Sequence, residues 1–302
     1  MGMPHRPSAL PALDVPHLAV HALWWVWLPT LLLSWDSLPM TGRVTLLGAG
    51  VLVLFWNYAV LHDHMHVPLA RSRALSWLVS RTLGLACGFA YRGYHLHHFN
   101  HHRYNDGEGD WGRRRVGEAG LTYLVRSTLT PWFWPYGLLG KVWEAASRKK
   151  GQRAELVLDF ILLQGALVAL ALWRPWLALS YFGMVLVGQL SIYLLNLAAH
   201  HETDATRKDS LAVTSTSRLY NLLCFNAGHH QAHHLRPQVP WQELPALTAR
   251  LASEGMLRPT LQTPLAPLHP FWVVRLLRRY APAPCAPQKD STTTSETPSA
   301  AT

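Results

Sequence analysis

The sequence predicts an all-α, integral-membrane fold: four transmembrane helices in two hairpins, a cytoplasmic histidine-rich cap, and further helices lying in the membrane surface. Three observations carry this reading. Of 302 residues, 49% are hydrophobic and only 15% are charged, against about 25% charged in ordinary globular chains. Four apolar runs each approach the ~20 residues that a helix needs to cross a bilayer. Fourteen of the 18 His fall in four short clusters. The shortage of charge argues against a disordered chain, a coiled coil and an ordinary soluble enzyme. The three Cys are scattered with no CxxC pair, which excludes a disulfide scaffold, a zinc-thiolate site and a cysteine-ligated iron–sulfur cluster.

Residues 1–17, with Pro4, Pro7, Pro11 and Pro16, form a tail without a recognisable secretory signal. The membrane domain spans 18–280. Its first run is 18–39, where Pro29 is tolerable in a membrane helix. A turn at 40–43 leads to the second run, 44–61. Two weaker stretches follow: 74–91, with Arg81 in its middle, and 119–140, with the aromatic cluster PWFWPYG. Both read as surface helices, since a buried Arg81 in a span would be costly. The third run, 156–173, has Asp159 near its start, where it is expected to reach the interface. Arg174-Pro175 turns the chain into the fourth run, 176–199. Residues 281–302 are Pro/Ser/Thr-rich and expected to be disordered. There is no internal repeat and no Gly-rich phosphate loop.

Charge placement sets the orientation. Residues 62–155 hold 14 Lys and Arg and the segment after the fourth run holds 10, whereas each hairpin turn holds one. By the positive-inside tendency, the middle and C-terminal segments are cytoplasmic. The net charge of +10 reads as topology and contact with anionic lipid, and no nucleic-acid motif is present. The expected location is an inner or plasma membrane.

The His clusters are HDHMH at 62–66, HLHHFNHH at 95–102, NLAAHH at 196–201 and HHQAHH at 229–234. Helical spacing selects faces within them. His62 and His66 share one face, as do His98, His101 and His102, and then His230, His233 and His234. Asn196 and His200 project together at the end of the fourth run. Nine imidazoles exceed the needs of one ion. Two ions with four or five nitrogens each use them all, and such ligation suits iron, zinc or copper rather than magnesium or calcium. Two irons with open positions fit better than zinc, which takes four ligands or fewer. Asp63, Asp106, Asp110, Glu202 and Asp204 are candidates to orient the rings. His64, His95, His97, His201 and His229 leave the register open; they are assigned to supporting roles. His5, His17, His21 and His269 are assigned to the surface or an interface.

HDHMH, HFNHH and HHQAHH, with NLAAH before the last, resemble the histidine boxes of the integral-membrane fatty acid desaturases, whose superfamily includes membrane hydroxylases and carotenoid ketolases. The resemblance covers roughly residues 20–250. It implies di-iron ligands at His62, His66, His98, His101, His102, His200, His230, His233 and His234, with Asn196 holding an iron-bound water. It further implies O2 as co-substrate, and desaturation of a long-chain fatty acyl group, lipid-linked or thioester, as the reaction. Hydroxylation or ketolation of a lipid, alkane or carotenoid is the alternative. With no haem, flavin or iron–sulfur segment evident, electrons are expected from a separate ferredoxin or cytochrome, for which Arg113–Arg115 and Arg148–Lys150 are a candidate dock. A membrane zinc hydrolase would call for HExxH, which is absent. A metal transporter would call for His or acidic residues deep in the spans, where His21 and Asp159 are the clear candidates.

Overall fold

The computed structural model describes residues 14–132 and 138–278. Four of its helices are long and apolar enough to cross a membrane: α1 (Val15–Ser34), α2 (Met40–His66), α7 (Gln152–Trp173) and α8 (Pro175–Ala199). Between α2 and α7 lie α3 (Arg73–Cys87), α4 (Tyr91–Tyr104), α5 (Gly120–Leu129) and α6 (Leu138–Ala146). After α8 come β1 (Thr214–Ser215), α9 (Arg218–Leu223), α10 (His230–Leu235), α11 (Leu244–Ser253), β2 (Gln262–Thr263) and α12 (Pro270–Arg278). The two short strands pair in parallel, Thr214 with Gln262 and Ser215 with Thr263.

α2 is the axis of the bundle and packs on α1, α3 and α8. Trp24, Trp27 and Leu31 of α1, Val53, Leu54, Val60 and Leu61 of α2, and Met184 and Val185 of α8 meet in one apolar core. Gly50 permits this approach, because a Cβ there would run into the Trp27 ring and Met184 Sδ. The outer faces of the long helices present Val26, Leu33, Leu52, Ile161, Leu172, Leu179 and Val187. Apolar outer surface on this scale is what lipid contact requires.

Several boundaries shift from the sequence reading. α1 stops at Ser34, so the first turn falls at 35–39 rather than 40–43. Arg43 folds back over it, donating to the carbonyls of Trp35 and Leu38 (2.9 and 3.0 Å). α2 does not end at 61 but runs on through the first His cluster to His66, where the extended backbone of Val67 stops it ahead of Pro68. That continuation makes a membrane helix the mount for His62 and His66. The turn between α7 and α8 is at Arg174-Pro175 as expected. Arg174 donates to Leu32 O (2.7 Å) and pairs with Asp36 (3.0 Å), tying α7 and α8 to the end of α1.

Several expectations need correction. Asp159 does not reach an open interface and Arg81 does not lie on a surface. They meet at 3.2 Å, exposed by only 4% and 5%. Arg81 also donates to Glu155 (3.1 Å). Asp159 accepts from the Arg92 backbone N–H (2.6 Å), and the Arg92 guanidinium pairs with Glu155. A buried charge persists when paired and hydrogen-bonded, so this cluster pins α3 and α4 against α7. The stretch 119–140 is not one helix: it divides into α5 and the start of α6. Residues 133–137 of its aromatic cluster lie outside the described residues, as do residues 1–13 of the N-terminal tail (with His5) and 279–302, which include the C-terminal tail and Cys285. His17 and His21 are buried, not at a surface. His21 bonds Asn57 (2.7 Å) and Thr82 (2.9 Å), which gives a polar ring inside the bundle its partners.

Candidate metal centre

All nine histidines selected by spacing converge at one end of the bundle. α2 carries His62 and His66 in its last turns, and α4 carries His98, His101 and His102. His200 caps α8, and α10 carries His230, His233 and His234.

Their Nε2 atoms face one another. His98 Nε2 lies 2.7 Å from His66 and 3.0 Å from His102, and His102 lies 3.1 Å from His233. In a neighbouring group, His200 Nε2 lies 3.1 Å from His101 and 3.2 Å from His230, and His230 lies 3.2 Å from His234. Ring nitrogens of His62, His66, His98, His102 and His233 all fall within 4.8 Å of one another, as do those of His101, His200 and His234. The nine therefore form two cages, of five and four once His230 is counted with the second. The cages touch: the His102 and His234 rings stack at 4.4 Å. Consecutive residues feed different cages, His102 and His101 on α4 and His233 and His234 on α10.

Local structure explains this convergence. α4 ends at Asn105, in the left-handed region (φ 46°), and its side chain donates to Leu211 O (2.9 Å). α10 follows a turn in which Phe225 and Asn226 both have positive φ (51° and 59°). Gly228 completes that turn. A Cβ there would meet Asn221 Oδ1 and Ser215 O, and its N–H donates to Asn221 (2.9 Å). Gln231, between the ligating positions, accepts from Ala212 N (2.8 Å) and donates to Lys208 O (2.7 Å).

The outer ring nitrogens are held by acceptors. His101 Nδ1 meets Asp110 (2.7 Å), His200 Nδ1 meets Leu211 O (3.1 Å) and His62 Nδ1 meets Asp63 (3.1 Å). Such contacts fix the tautomer and aim Nε2 inward. Burial, followed by the neighbouring rings, holds His98, His102, His230, His233 and His234 well below the usual imidazole range. Burial and His101 do the same for His200. These rings are neutral at pH 7, with lone pairs facing a shared centre. His101 departs upward: burial lowers it, but the Asp110 carboxylate outweighs burial. Burial raises Asp110, yet its contacts with His101 bring it below the usual carboxylate range. Burial lifts neighbouring Asp106 to about 6.

This donor set fits bound metal. His62 Nε2 is buried with no hydrogen-bond partner, and neutral rings facing one another lack the protons to bond every facing pair. Facing ring nitrogens 2.7–3.2 Å apart are close enough to share one ion about 2.1 Å from each.

The other His of the four clusters lie outside both cages. His64 bonds Ser80 (3.0 Å), His95 stacks on Phe99 (4.5 Å), His201 pairs with Glu202 (3.4 Å) and His229 bonds Thr248 (2.9 Å). His97 lies beside Gly112. Asp204 serves its own loop through Thr206 (2.7 Å). Asn196 is one turn before His200. Its amide donates to Tyr123 Oη (2.9 Å), and it borders the cavities next to the cages.

Spacing did not reveal those cavities. A cleft of about 140 Å³ runs between α2 and α8 to His62 and His230, lined by Phe55, Ala59, Ile192 and Leu195. A chamber of about 40 Å³ adjoins it, walled by Tyr58, Tyr94, Tyr123 and Tyr193 beside His98 and His101. Tyr58 and Tyr94 join through their hydroxyls (2.7 Å).

Comparison with known proteins agrees with this geometry. The family model described as Fatty acid desaturase matches residues 36–263, which include all nine cage histidines. The chain is 24% identical over 241 residues to a beta-carotene ketolase of Paracoccus sp. (strain N81106), covering 76% of this chain and 85% of that protein. It is 25% identical over 196 residues to a beta-carotene ketolase of Paracoccus sp. (strain PC1), covering 62% and 72%.

Proposed function

The chain belongs to the fatty acid desaturase family, and from that premise we propose that it is a di-iron membrane oxidoreductase that oxidises an unactivated C–H bond of a long apolar substrate. The observation that carries this reading is the pair of nitrogen cages beside an apolar cleft that reaches one ring of each, His62 and His230. His62, His66, His98, His102 and His233 would hold one iron, and His101, His200, His230 and His234 the other. The number of ring nitrogens in the cages, five in one and four in the other, favours iron over zinc, which takes four ligands or fewer. Bound iron would supply reductive activation of O2 and hydrogen abstraction.

The protein's own residues do the rest. Asp110, Asp63 and Leu211 O aim the rings. Asn196 and Tyr123 offer an amide and a hydroxyl at the adjoining chamber, where they orient water. Phe55, Ala59, Ile192 and Leu195 present the hydrocarbon and exclude bulk solvent. The Lys- and Arg-rich segments around the cages support a cytoplasmic position for them. Electrons arrive from a separate acidic ferredoxin or cytochrome at Arg148, Lys149 and Lys150, which are exposed.

Two substrate classes divide this reading. The Paracoccus relatives, which are beta-carotene ketolases, favour oxygen insertion into a carotenoid. The family model, described as Fatty acid desaturase, supports acyl desaturation. Iron analysis of the purified protein, with mass spectrometry of lipids and pigments from an expressing host, tests both. Two irons per chain are expected. Loss of two hydrogens from an acyl chain marks desaturation; an added oxygen on a carotenoid marks oxygenation. Zinc in place of iron overturns the proposal.

A further inference from the structure

α9 carries an unusual face for a segment beside a metal site. Leu219, Leu222 and Leu223 are 66%, 77% and 45% exposed, with Arg218 exposed next to them. The opposite face is fixed. Asn221 is buried and donates to Ser215 O (2.9 Å), while Tyr220 and Cys224 line the cleft that leads to His62 and His230. The leucines therefore stand outward on a rigid mount and are not a loosely packed core.

The depth of the cleft indicates what covers them. Phe55 lies three turns before the end of α2, about 16 Å along its axis, and Ile192 two turns before the end of α8, about 10 Å. Both residues line the same cleft as Tyr220 and Cys224. α9 thus shares a cleft with two membrane-length helices, whose outer faces at Leu52 and Val187 are apolar and exposed. Leu276 of α12 lines the same cleft, and Val274 of α12 is exposed. An exposed apolar patch beside a cleft walled by membrane-length helices, and edged by an arginine, has the make-up of a segment that dips into the interface while its charged head stays among the headgroups.

We infer that Leu219, Leu222 and Leu223 of α9 form a lipid-dipping lip at the mouth of the cleft, through which the apolar substrate passes sideways from the bilayer to the metal cages. The entry route rests on the proposed function; the lipid contact does not. The occupant of this face is the acyl region of the bilayer rather than a protein.

The test uses the full chain in phosphatidylcholine vesicles. Leu222→Cys, in a Cys285→Ser background, carries a fluorophore, and acyl chains brominated near the headgroup act as quenchers. Val187→Cys is the control, read with bromines placed deep in the chain. Quenching at both positions is expected. Quenching at residue 187 without quenching at 222 overturns the lip, whatever reaction the protein catalyses. Replacing all three leucines with Ser is expected to raise the apparent KM for a membrane-dissolved substrate on the order of tenfold, with kcat and iron content retained. Quenching at 222 with an unchanged KM overturns the entry route. These side chains point away from the protein's own interior, so the replacements leave the packing of Tyr220 and Asn221 in place.

Discussion

His17 and Asp63 are 46 residues apart in sequence and meet at 3.1 Å, Nε2 to Oδ2. The other oxygen of Asp63 holds His62 Nδ1 (3.1 Å). His17 also lies 2.8 Å from Asp14, stacks on Phe225 at 4.1 Å and meets the Trp241 ring edge-on. Trp241 in turn donates to Asp14 (3.0 Å). The start of α1, the end of α2 and the segments flanking α10 are thus locked together behind the first cage.

Removing either partner has a distinct consequence. Asp63→Asn is expected to weaken iron binding by about 10–100-fold, the scale for losing the group that orients a ligating His. His17→Ala is expected to destabilise the fold by on the order of 3 kcal/mol, because two carboxylates lose their shared buried partner. Metal titration and denaturant unfolding separate the two effects. Unchanged iron affinity in Asp63→Asn would remove this carboxylate from the site.

Each cage can be struck alone. His66 and His200 each have no sequence neighbour in the opposite cage, so His66→Ala and His200→Ala are each expected to bring the iron content at saturating metal down to one per chain and to abolish turnover. Retention of both irons in either variant would mean that the ring is no ligand.

Acid should unfold the iron-free protein. Burial holds the rings of His98, His102, His200, His230, His233 and His234 below the usual range. Unfolded His titrates near 6.5, so below that pH the unfolded chain binds more protons and stability falls as pH drops. The melting temperature of iron-free protein is expected to fall between about pH 7.5 and about pH 5.5, and iron loading is expected to blunt the fall. A flat profile without iron contradicts the buried neutral rings.

Charge reversal at Arg148, Lys149 and Lys150 tests the donor site. The triple Glu variant is expected to slow donor-dependent turnover several-fold, most strongly at low salt, with iron content unchanged. Equal turnover at all salt concentrations would place the donor elsewhere.

The cages were legible in the sequence because their logic is local. Three rings at i, i+3 and i+4 share a face in any helix, so HFNHH and HHQAHH announce their geometry wherever the helices end up. The competing register at His95 was not decided by spacing; in the structure His95 stacks on Phe99 (4.5 Å) and is not among the clustered ring nitrogens. Asp110 was also within reach, close along the chain to His101. Long-range pairings were not. Asp159 finds Arg81 across 78 positions and His17 finds Asp63 across 46, and no local pattern encodes either. The cleft arises only where α2, α8, α9 and α12 come together.

His101 and His102 are neighbours on one turn of α4, yet they serve opposite cages; His233 and His234 repeat the arrangement on α10. A first ion that settles either helix also prepares the rings awaiting the second, so the ordering entropy is met once for both. Uptake of iron should then be cooperative, and at substoichiometric metal the population should divide into empty and fully charged molecules, with few half-filled ones.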